Sequence, residues 1–292
     1  MIGLRYNLCT ISFRHELVSF QELLRYALDT GFNGIELWGV HAKALLRQRG
    51  QELGGMLDEM FSYGLEISML SDYIPLMGNI PMDVLLKEWQ DTVQAAKAFH
   101  TNKLRIFAGS LSSQSLDEQD WELCTKRLNI LCAAAEREGV YTVVETHPGT
   151  AADGLDSTLQ LLRQTNHPAL KLNMDFLHMW ESGADPLAAY ERLKPWIVNI
   201  HLKNVEARQW LEVFSPDNVY SPSGSRRGIV PLADGEMDCQ AIMKHLILDP
   251  TRAPVSLEWF GAIPFQILKS ELSWLKGLES DLKPEKVEVK GT

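Results

Sequence analysis

Short apolar runs alternate with amphipathic segments along almost the whole chain. Eight runs of strand length are separated by segments with helical periodicity, which is the pattern of a (β/α)8 barrel. The predicted strands cover residues 6–12, 34–38, 65–70, 103–107, 141–145, 170–174, 196–202 and 255–258. A doubly wound sheet is the alternative, but the chain contains neither GxGxxG nor GxxxxGK[ST] to support a nucleotide-binding fold. We therefore predict an α/β fold, a single-domain TIM barrel over residues 1–280.

Two segments depart from this alternation. Residues 204–237 form a long connection between the seventh strand and the next helix, and connections of this length are usually lids or disordered insertions. The aromatic residues and the arginine pair of this segment favour a structured lid. Residues 281–292 end in KPEKVEVKGT, for which we expect a flexible charged tail.

Polar side chains occur where four consecutive predicted strands end. Glu145 ends the fifth strand, Asp175 follows the sixth, His201 lies near the end of the seventh, and Glu258 ends the eighth. Active-site residues of α/β barrels collect at this end of the strands, so these four side chains should converge. Three oxygen ligands and one nitrogen ligand without a thiolate suit Mn²⁺, Mg²⁺ or Co²⁺, with two coordination positions left for substrate.

Each of these residues also has a purely structural explanation. Asp175 or Glu145 can cap a helix, His201 can be a hydrogen-bonded core histidine, and Glu258 can pair with an arginine. A metal site is favoured only because possible ligands occur at the ends of four consecutive strands. His147, His178 and Lys203 follow the same strand ends and are further candidates for the site.

Composition limits the partners of the chain. Its formal net charge of −10 argues against nucleic acid or an anionic membrane as the main partner. The apolar runs are shorter than the ~20 residues that span a bilayer, and the N-terminus lacks the layout of a signal peptide. Its four cysteines form no CxxC pair, so we expect reduced, mostly buried thiols in a cytoplasmic protein.

The pattern of Glu145, Asp175, His201 and Glu258 resembles the xylose-isomerase-like barrel superfamily. Longer blocks resemble the 3-dehydroshikimate dehydratases of petrobactin siderophore biosynthesis, and the similarity covers residues 6–278. These blocks are CTISFRHELVSF, GFNGIELWGVHA, VVETHPGT, NMDFLHMWESGADP, PWIVNIHLKN, VFSPDNVY and SLEWFG. They extend well beyond the four ligand positions, which makes the resemblance specific.

The resemblance implies a metal-dependent lyase that converts 3-dehydroshikimate into protocatechuate and water. It implies that the four strand-end residues bind a divalent metal, Mn²⁺ in the first place and Mg²⁺ or Co²⁺ otherwise. It further implies a substrate site whose members are His147, His178, Lys203, Arg105, Tyr73, Phe214 and Tyr220. Tyr73, Phe214 and Tyr220 would close over the substrate, and its carboxylate would be bound by the guanidinium fork of Arg105, which we place at the end of the fourth strand. His147 is our first choice as the base that removes the α-proton.

Other functions remain open at this point. A sugar or inositol isomerase, epimerase or dehydratase of the same superfamily would use the metal without needing Arg105. A non-catalytic metal-binding barrel is the alternative outside enzymes, since a fold alone does not determine function. The sequence does not distinguish a monomer from a homodimer, or siderophore synthesis from the breakdown of aromatic rings.

Overall fold

The computed structural model describes residues 3–251 and 253–282 and contains a closed barrel of eight parallel strands. The barrel strands are β1 (Tyr6–Cys9), β2 (Gly34–Trp38), β3 (Glu66–Ser71), β4 (Lys103–Phe107), β5 (Tyr141–Glu145), β6 (Leu170–Asp175), β7 (Ile197–Leu202) and β10 (Val255–Leu257). Each strand pairs with its neighbour in the chain order, and β10 closes the barrel against β1. The predicted single-domain TIM barrel is confirmed.

Ten α-helices lie in the described part of the chain. They are α1 (Phe20–Thr30), α2 (Gly39–Ser62), α3 (Met82–Ala98), α4 (Glu118–Glu136), α5 (Leu155–Thr165), α6 (Phe176–Glu181), α7 (Pro186–Leu193), α8 (Pro216–Val219), α9 (Cys239–Leu248) and α10 (Pro264–Asp281). Their starts follow local chemistry: Ser19, for example, caps α1 in a reciprocal capping box with Glu22. The apolar core lies between the helices and the outer face of the strands, where Trp89 and Phe99 are fully buried.

The interior of the barrel is polar near its C-terminal end. The Asn199 amide donates hydrogen bonds to Asn173 Oδ1 at 2.9 Å and to Ser256 Oγ at 3.2 Å. Buried polar groups require such partners, so this layer fixes the relative position of β6, β7 and β10. The side chains at the strand ends lie directly above this polar layer.

Several predicted strand boundaries differ from the observed ones, most of them by one residue. The first strand ends at Cys9, and residues Thr10–Phe13 form a 3₁₀ helix whose apolar side chains remain buried, which is why the apolar pattern continues beyond the strand. The last strand ends at Leu257, because the backbone N–H of Trp259 donates to the Ser12 side chain instead of a neighbouring strand.

The long connection after β7 is structured, as the sequence predicts. It contains the two-stranded antiparallel sheet of β8 (Asn204–Val205) and β9 (Ile229–Val230), two 3₁₀ helices (Arg208–Phe214 and Leu232–Asp234) and α8. The Arg14 guanidinium connects it to the barrel by donating to the carbonyls of Val219 at 2.7 Å and of Phe260 at 3.1 Å. This insertion therefore lies over the C-terminal end of the strands.

Other expectations concern the ends and the surface of the chain. The predicted charged tail over 281–292 falls almost entirely outside the described residues, apart from Asp281, which ends α10, and Leu282. Within ranges 3–251 and 253–282, no helix combines the length and apolarity needed to cross a membrane. All four cysteines are buried and free, as expected.

Candidate metal centre and substrate pocket

The four predicted metal ligands come together at the mouth of the barrel. Glu145 and Asp175 are the last residues of β5 and β6, His201 lies directly opposite Asp175 in the β6–β7 register, and Glu258 follows β10. All four are buried, and one ligand atom from each lies within 4.8 Å of the others. The side chains converge because parallel strands end at one rim. That they hold a metal stays a prediction.

The donor atoms of this cluster fit a divalent cation. Nδ1 of His201 lies 3.3 Å from Glu145 Oε1, 3.8 Å from Glu258 Oε2 and 3.9 Å from Asp175 Oδ2. Within the described part of the chain, this buried nitrogen has no hydrogen-bond partner. A buried polar atom without a partner destabilises the folded state. A cation among these oxygens would bind the lone pair of His201 Nδ1.

Glu36 is a functional candidate that the sequence analysis missed. This fully buried carboxylate of β2 lies 2.9 and 2.8 Å from His201 Nε2 through its two oxygens. Ser71 and Asn199 donate further hydrogen bonds to it. The pair resembles the carboxylate–histidine arrangement that orients metal-binding imidazoles. The available signal was a carboxylate within the otherwise apolar strand GIELW.

Electrostatics at His201 agree with this arrangement. Burial opposes a charged imidazole, but Glu36, Glu145 and Glu258 outweigh burial and raise the pKa of His201 well above its ordinary value. With Nε2–H donated to Glu36, the second nitrogen faces the three ligand oxygens. A cation at that place would substitute for the Nδ1 proton.

Lys203 lies among the ligand oxygens. Its ammonium group donates to Asp175 Oδ2 and, at 2.6 Å, to Glu258 Oε2. Burial opposes the charge, but these carboxylates and Glu145 raise the pKa of Lys203 above its ordinary range, so the side chain stays cationic. Lys203 therefore supplies a fixed positive charge next to the cluster.

Arg105 lies lower in the barrel than predicted. It is the central residue of β4, not its end, and its side chain extends upward to place Nε 3.0 Å from Glu145 Oε2. The guanidinium faces the rings of Phe107 at 4.7 Å and Tyr73 at 5.3 Å. Nη1 is buried and lacks a hydrogen-bond partner among the described residues. The remaining donors can bind an anion in the pocket.

His147 stands beside the ligand cluster rather than in it. Its Nδ1 lies 2.7 Å from the Pro148 carbonyl oxygen, so Nδ1 carries the proton and Nε2 keeps its lone pair. Burial, followed by charge on His178, lowers the pKa of His147 to about 3.

His178 lies on α6, a short helix that directly follows β6. Asp175 caps this helix by accepting from the backbone N–H of His178 at 3.2 Å, and so serves as helix cap and candidate ligand at once. The ring centroids of His178 and His147 are 4.6 Å apart. Both imidazoles therefore face the same cavity.

A cavity that opens to solvent lies above the cluster. Tyr73, Phe214 and Tyr220 line it. The Tyr73 and Tyr220 hydroxyls are 2.5 Å apart, and the Trp38 indole N–H donates to Tyr73 at 3.2 Å. Phe214 packs edge-on against Phe260 at 6.0 Å. The insertion thus closes one side of the cavity with aromatic rings.

One thiol also lies near the cluster. Cys9 could share a cation with His201 and Glu258 by distance. Burial and the charges of Glu36 and Glu258 raise the pKa of the Cys9 thiol well above its ordinary value, so it stays protonated. Because metals bind the thiolate, the four-residue cluster is the better candidate.

The chain is similar to known proteins over most of its length. The family model described as the xylose isomerase-like TIM barrel matches residues 24–278. The 3-dehydroshikimate dehydratase of Bacillus anthracis is 40% identical over 272 residues, which are 93% of this chain and 96% of that protein. A crystal structure of the probable 3-DHS dehydratase AsbF, involved in petrobactin synthesis in B. anthracis, has a TM-score of 0.90 at 40% identity and covers 94% of this chain and 99% of that one. An inosose dehydratase of Clostridium beijerinckii is 31% identical over 132 residues, 44% of each chain.

Proposed function

The chain belongs to the xylose isomerase-like TIM barrel family, and from this premise we propose that it is a metal-dependent 3-dehydroshikimate dehydratase that forms protocatechuate. The observation that carries the proposal is the relative of that activity, which matches 93% of this chain at 40% identity. The chemistry of the pocket supports it independently, because acidic ligands, two imidazoles and two cations face one cavity.

Glu145, Asp175, His201 and Glu258 would hold the cation, and Glu36 would orient His201. The unpartnered Nδ1 of His201 supports this assignment. When bound, a divalent cation such as Mn²⁺ supplies Lewis acidity toward the ketone and hydroxyl oxygens of the substrate, which makes the adjacent C–H bond more acidic. The oxygen-rich ligand set favours Mn²⁺, with Mg²⁺ or Co²⁺ as substitutes.

His147 would remove the α-proton of the substrate. Its Nδ1–H is donated to the Pro148 carbonyl, which leaves Nε2 free to accept a proton. General bases contribute roughly 10²–10⁴-fold to rate. Loss of the β-hydroxyl as water and of a second ring proton then yields the aromatic product. Lys203 would stabilise negative charge that develops on the substrate oxygens.

Arg105 would bind the carboxylate of the substrate. The cavity needs a cation for this group, and the guanidinium has a buried donor without a partner in the described part of the chain. Tyr73, Phe214 and Tyr220 would exclude water from the bound substrate. Exclusion of water strengthens each of these electrostatic interactions.

A second function within the family is the dehydration of inosose or the isomerisation of a sugar. The match to inosose dehydratases favours it, although this match covers less than half of the chain. Arg105 argues against it, because a neutral polyol would leave the guanidinium donors that Glu145 does not use without an anionic partner. We also propose that the product of this protein serves siderophore synthesis, because the similar B. anthracis structure is of a protein involved in petrobactin synthesis.

The test is a substrate panel with the purified protein and Mn²⁺. We expect protocatechuate absorbance to appear with 3-dehydroshikimate, and no turnover of inosose or a ketohexose. Turnover of inosose without protocatechuate formation contradicts the proposal in favour of the second function. Metal binding without any turnover supports the non-catalytic alternative.

A further inference from the structure

A carboxylate outside the predicted site contacts one of the two pocket imidazoles. Glu181 is the last residue of α6, three positions after His178, so both side chains lie on the same face of the helix. Its Oε2 is 2.9 Å from His178 Nδ1. The imidazole is buried, while a quarter of the Glu181 side chain is exposed. The Glu181–His178 pair thus extends from the buried substrate pocket to the solvent-exposed surface.

This contact determines which nitrogen of His178 faces the substrate. A carboxylate only accepts, so Nδ1 must carry a proton and donate it to Glu181. Nε2 is then the nitrogen available to the substrate cavity that His178 lines. Its nearest carboxylate, Asp175 Oδ2, is 3.7 Å away and therefore beyond direct hydrogen bonding.

Glu181 itself faces a second, larger space. An open cavity lies between the loop after β5 and the insertion, and both Glu181 and His178 line it. The Arg208 guanidinium fixes this end of α6 by donating to the Trp180 carbonyl at 2.8 Å and by covering the Trp180 ring at 3.7 Å. The insertion therefore holds the helix that carries both residues.

We propose that Glu181 is a positioning residue of the dehydration, acting through His178. Its carboxylate holds the imidazole with Nε2 toward the substrate and stabilises positive charge on the ring whenever Nε2 also carries a proton. This inference rests on the proposed function, and it separates the roles of the two imidazoles. His147 removes the α-proton, and His178 accepts the second ring proton on Nε2, the nitrogen that the Glu181 contact leaves free.

The protons balance over one turnover. The α-proton moves to His147 Nε2 as the C–H electrons enter the ring system. The C–O bond then breaks with its electron pair on oxygen, and the proton on His147 Nε2 converts that oxygen into water. The second ring C–H proton lost on aromatisation moves to His178 Nε2 and from there to the former ketone oxygen, so both imidazoles end the turnover neutral. The substrate loses one molecule of water and nothing else.

The test compares Glu181→Gln, Glu181→Asp and Glu181→Ala with a matched control. Glu191→Gln removes a similar carboxylate–imidazole contact, that of Glu191 Oε1 with His245 Nε2 at 2.7 Å, on the surface of the barrel. For Glu181→Gln we expect kcat with 3-dehydroshikimate to fall roughly 10- to 100-fold with KM and metal content unchanged. Glu181→Asp should recover part of the loss, and the control should match the wild type.

Two further readouts distinguish positioning from a general structural defect. Added formate should partly restore Glu181→Ala, because the removed side chain borders an open cavity, and should not accelerate the wild type. The ¹⁵N resonance of His178 Nδ1 should show a proton held on that nitrogen in the wild type and a mixture of tautomers in Glu181→Ala. Wild-type kcat in Glu181→Gln and Glu181→Ala overturns the inference.

The outcome remains decisive if the proposed function fails. In that case no variant forms protocatechuate, and the ¹⁵N measurement alone tests the contact. An unchanged His178 tautomer on loss of Glu181 then overturns the positioning role, whereas a changed one supports it without the assigned reaction. If Glu181→Ala does not fold, the near-isosteric Glu181→Gln supplies the same comparison.

Discussion

Both carboxylate oxygens of Glu36 lie within 2.9 Å of Nε2 of His201, although the two residues are 165 positions apart in sequence. This contact commits Nε2 to donating its proton. It leaves Nδ1 directed at Glu145, Asp175 and Glu258 with no hydrogen-bond partner within the described ranges. The orientation of the only nitrogen donor in the proposed ligand set thus depends on a residue that would not touch the metal.

The first prediction concerns this indirect role. Glu36→Gln should weaken Mn²⁺ binding by roughly 10- to 100-fold, since partners of metal-binding histidines typically have effects of this size. Calorimetric titration of the metal-free protein with Mn²⁺ measures it. Glu66→Gln is the matched control, because Glu66 begins the next strand but pairs with Arg5 at the surface. Equal Mn²⁺ affinity in wild type and Glu36→Gln contradicts the orienting role.

The second prediction concerns Arg105. Arg105→Lys keeps a positive charge near Glu145 but loses the planar fork, so KM for 3-dehydroshikimate should rise while the metal content is unchanged. Steady-state kinetics together with elemental analysis measure both quantities. Arg5→Lys, in an exposed ion pair, serves as the control. Kinetics indistinguishable from the wild type would mean that another group binds the substrate carboxylate.

The third prediction separates His147 from the proposed metal ligands. His147→Gln should keep Mn²⁺ affinity near that of the wild type, because the ring lies beside the four-residue cluster. It should lower kcat by roughly 10² or more and slow exchange of the α-proton of the substrate with D₂O. Loss of metal from this variant would make His147 a ligand. Undiminished proton exchange would assign the base to His178 or Lys203.

The grouping of the strand-end residues could be predicted because all strands of a parallel barrel end at the same rim. Residues that follow apolar runs must meet at one rim, so Glu145, Asp175 and Glu258 could be grouped from the sequence before any contact was known. The same rule could not identify Glu36. Its carboxylate lies inside a strand, and its partner His201 is brought near only by closure of the barrel.

Other features required side-chain geometry rather than pattern. The sequence placed Arg105 at a strand end, whereas its length lets it reach the rim from the centre of β4. The helix α6 escaped notice because six residues are too few for a helical period. Its cap, Asp175, was seen as either a ligand or a cap, and the geometry allows both.

The fourth prediction concerns pH and a carboxylate that anchors the insertion. Burial raises the pKa of Glu271 to about 7, with a smaller contribution from Asp234, while one of its oxygens accepts from the Leu232 backbone N–H at 2.9 Å. The native state therefore holds this proton more tightly than the unfolded state does. Stability should be highest below the unfolded pKa and should fall as pH rises through about 7.

Glu271→Gln isolates this effect, since the amide oxygen can still accept from Leu232 but carries no charge. Urea unfolding at pH 5 and pH 8 should show similar stability for both proteins at pH 5 and a more stable variant at pH 8, by up to ~3 kcal/mol. Glu122→Gln, at an exposed position, is the control. A variant that is less stable than the wild type at pH 8 refutes the assignment.

The central claim is that dehydration of 3-dehydroshikimate depends on a cation held by Glu145, Asp175, His201 and Glu258. The most direct measurement titrates Mn²⁺ into chelator-treated protein while protocatechuate formation is followed by absorbance. Asp175→Asn, which keeps the shape but removes a charge, is assayed in parallel. We predict no product without metal, activity that saturates at one Mn²⁺ per chain, and a right-shifted titration for the variant. Full protocatechuate formation by protein that elemental analysis shows to be metal-free would contradict the account.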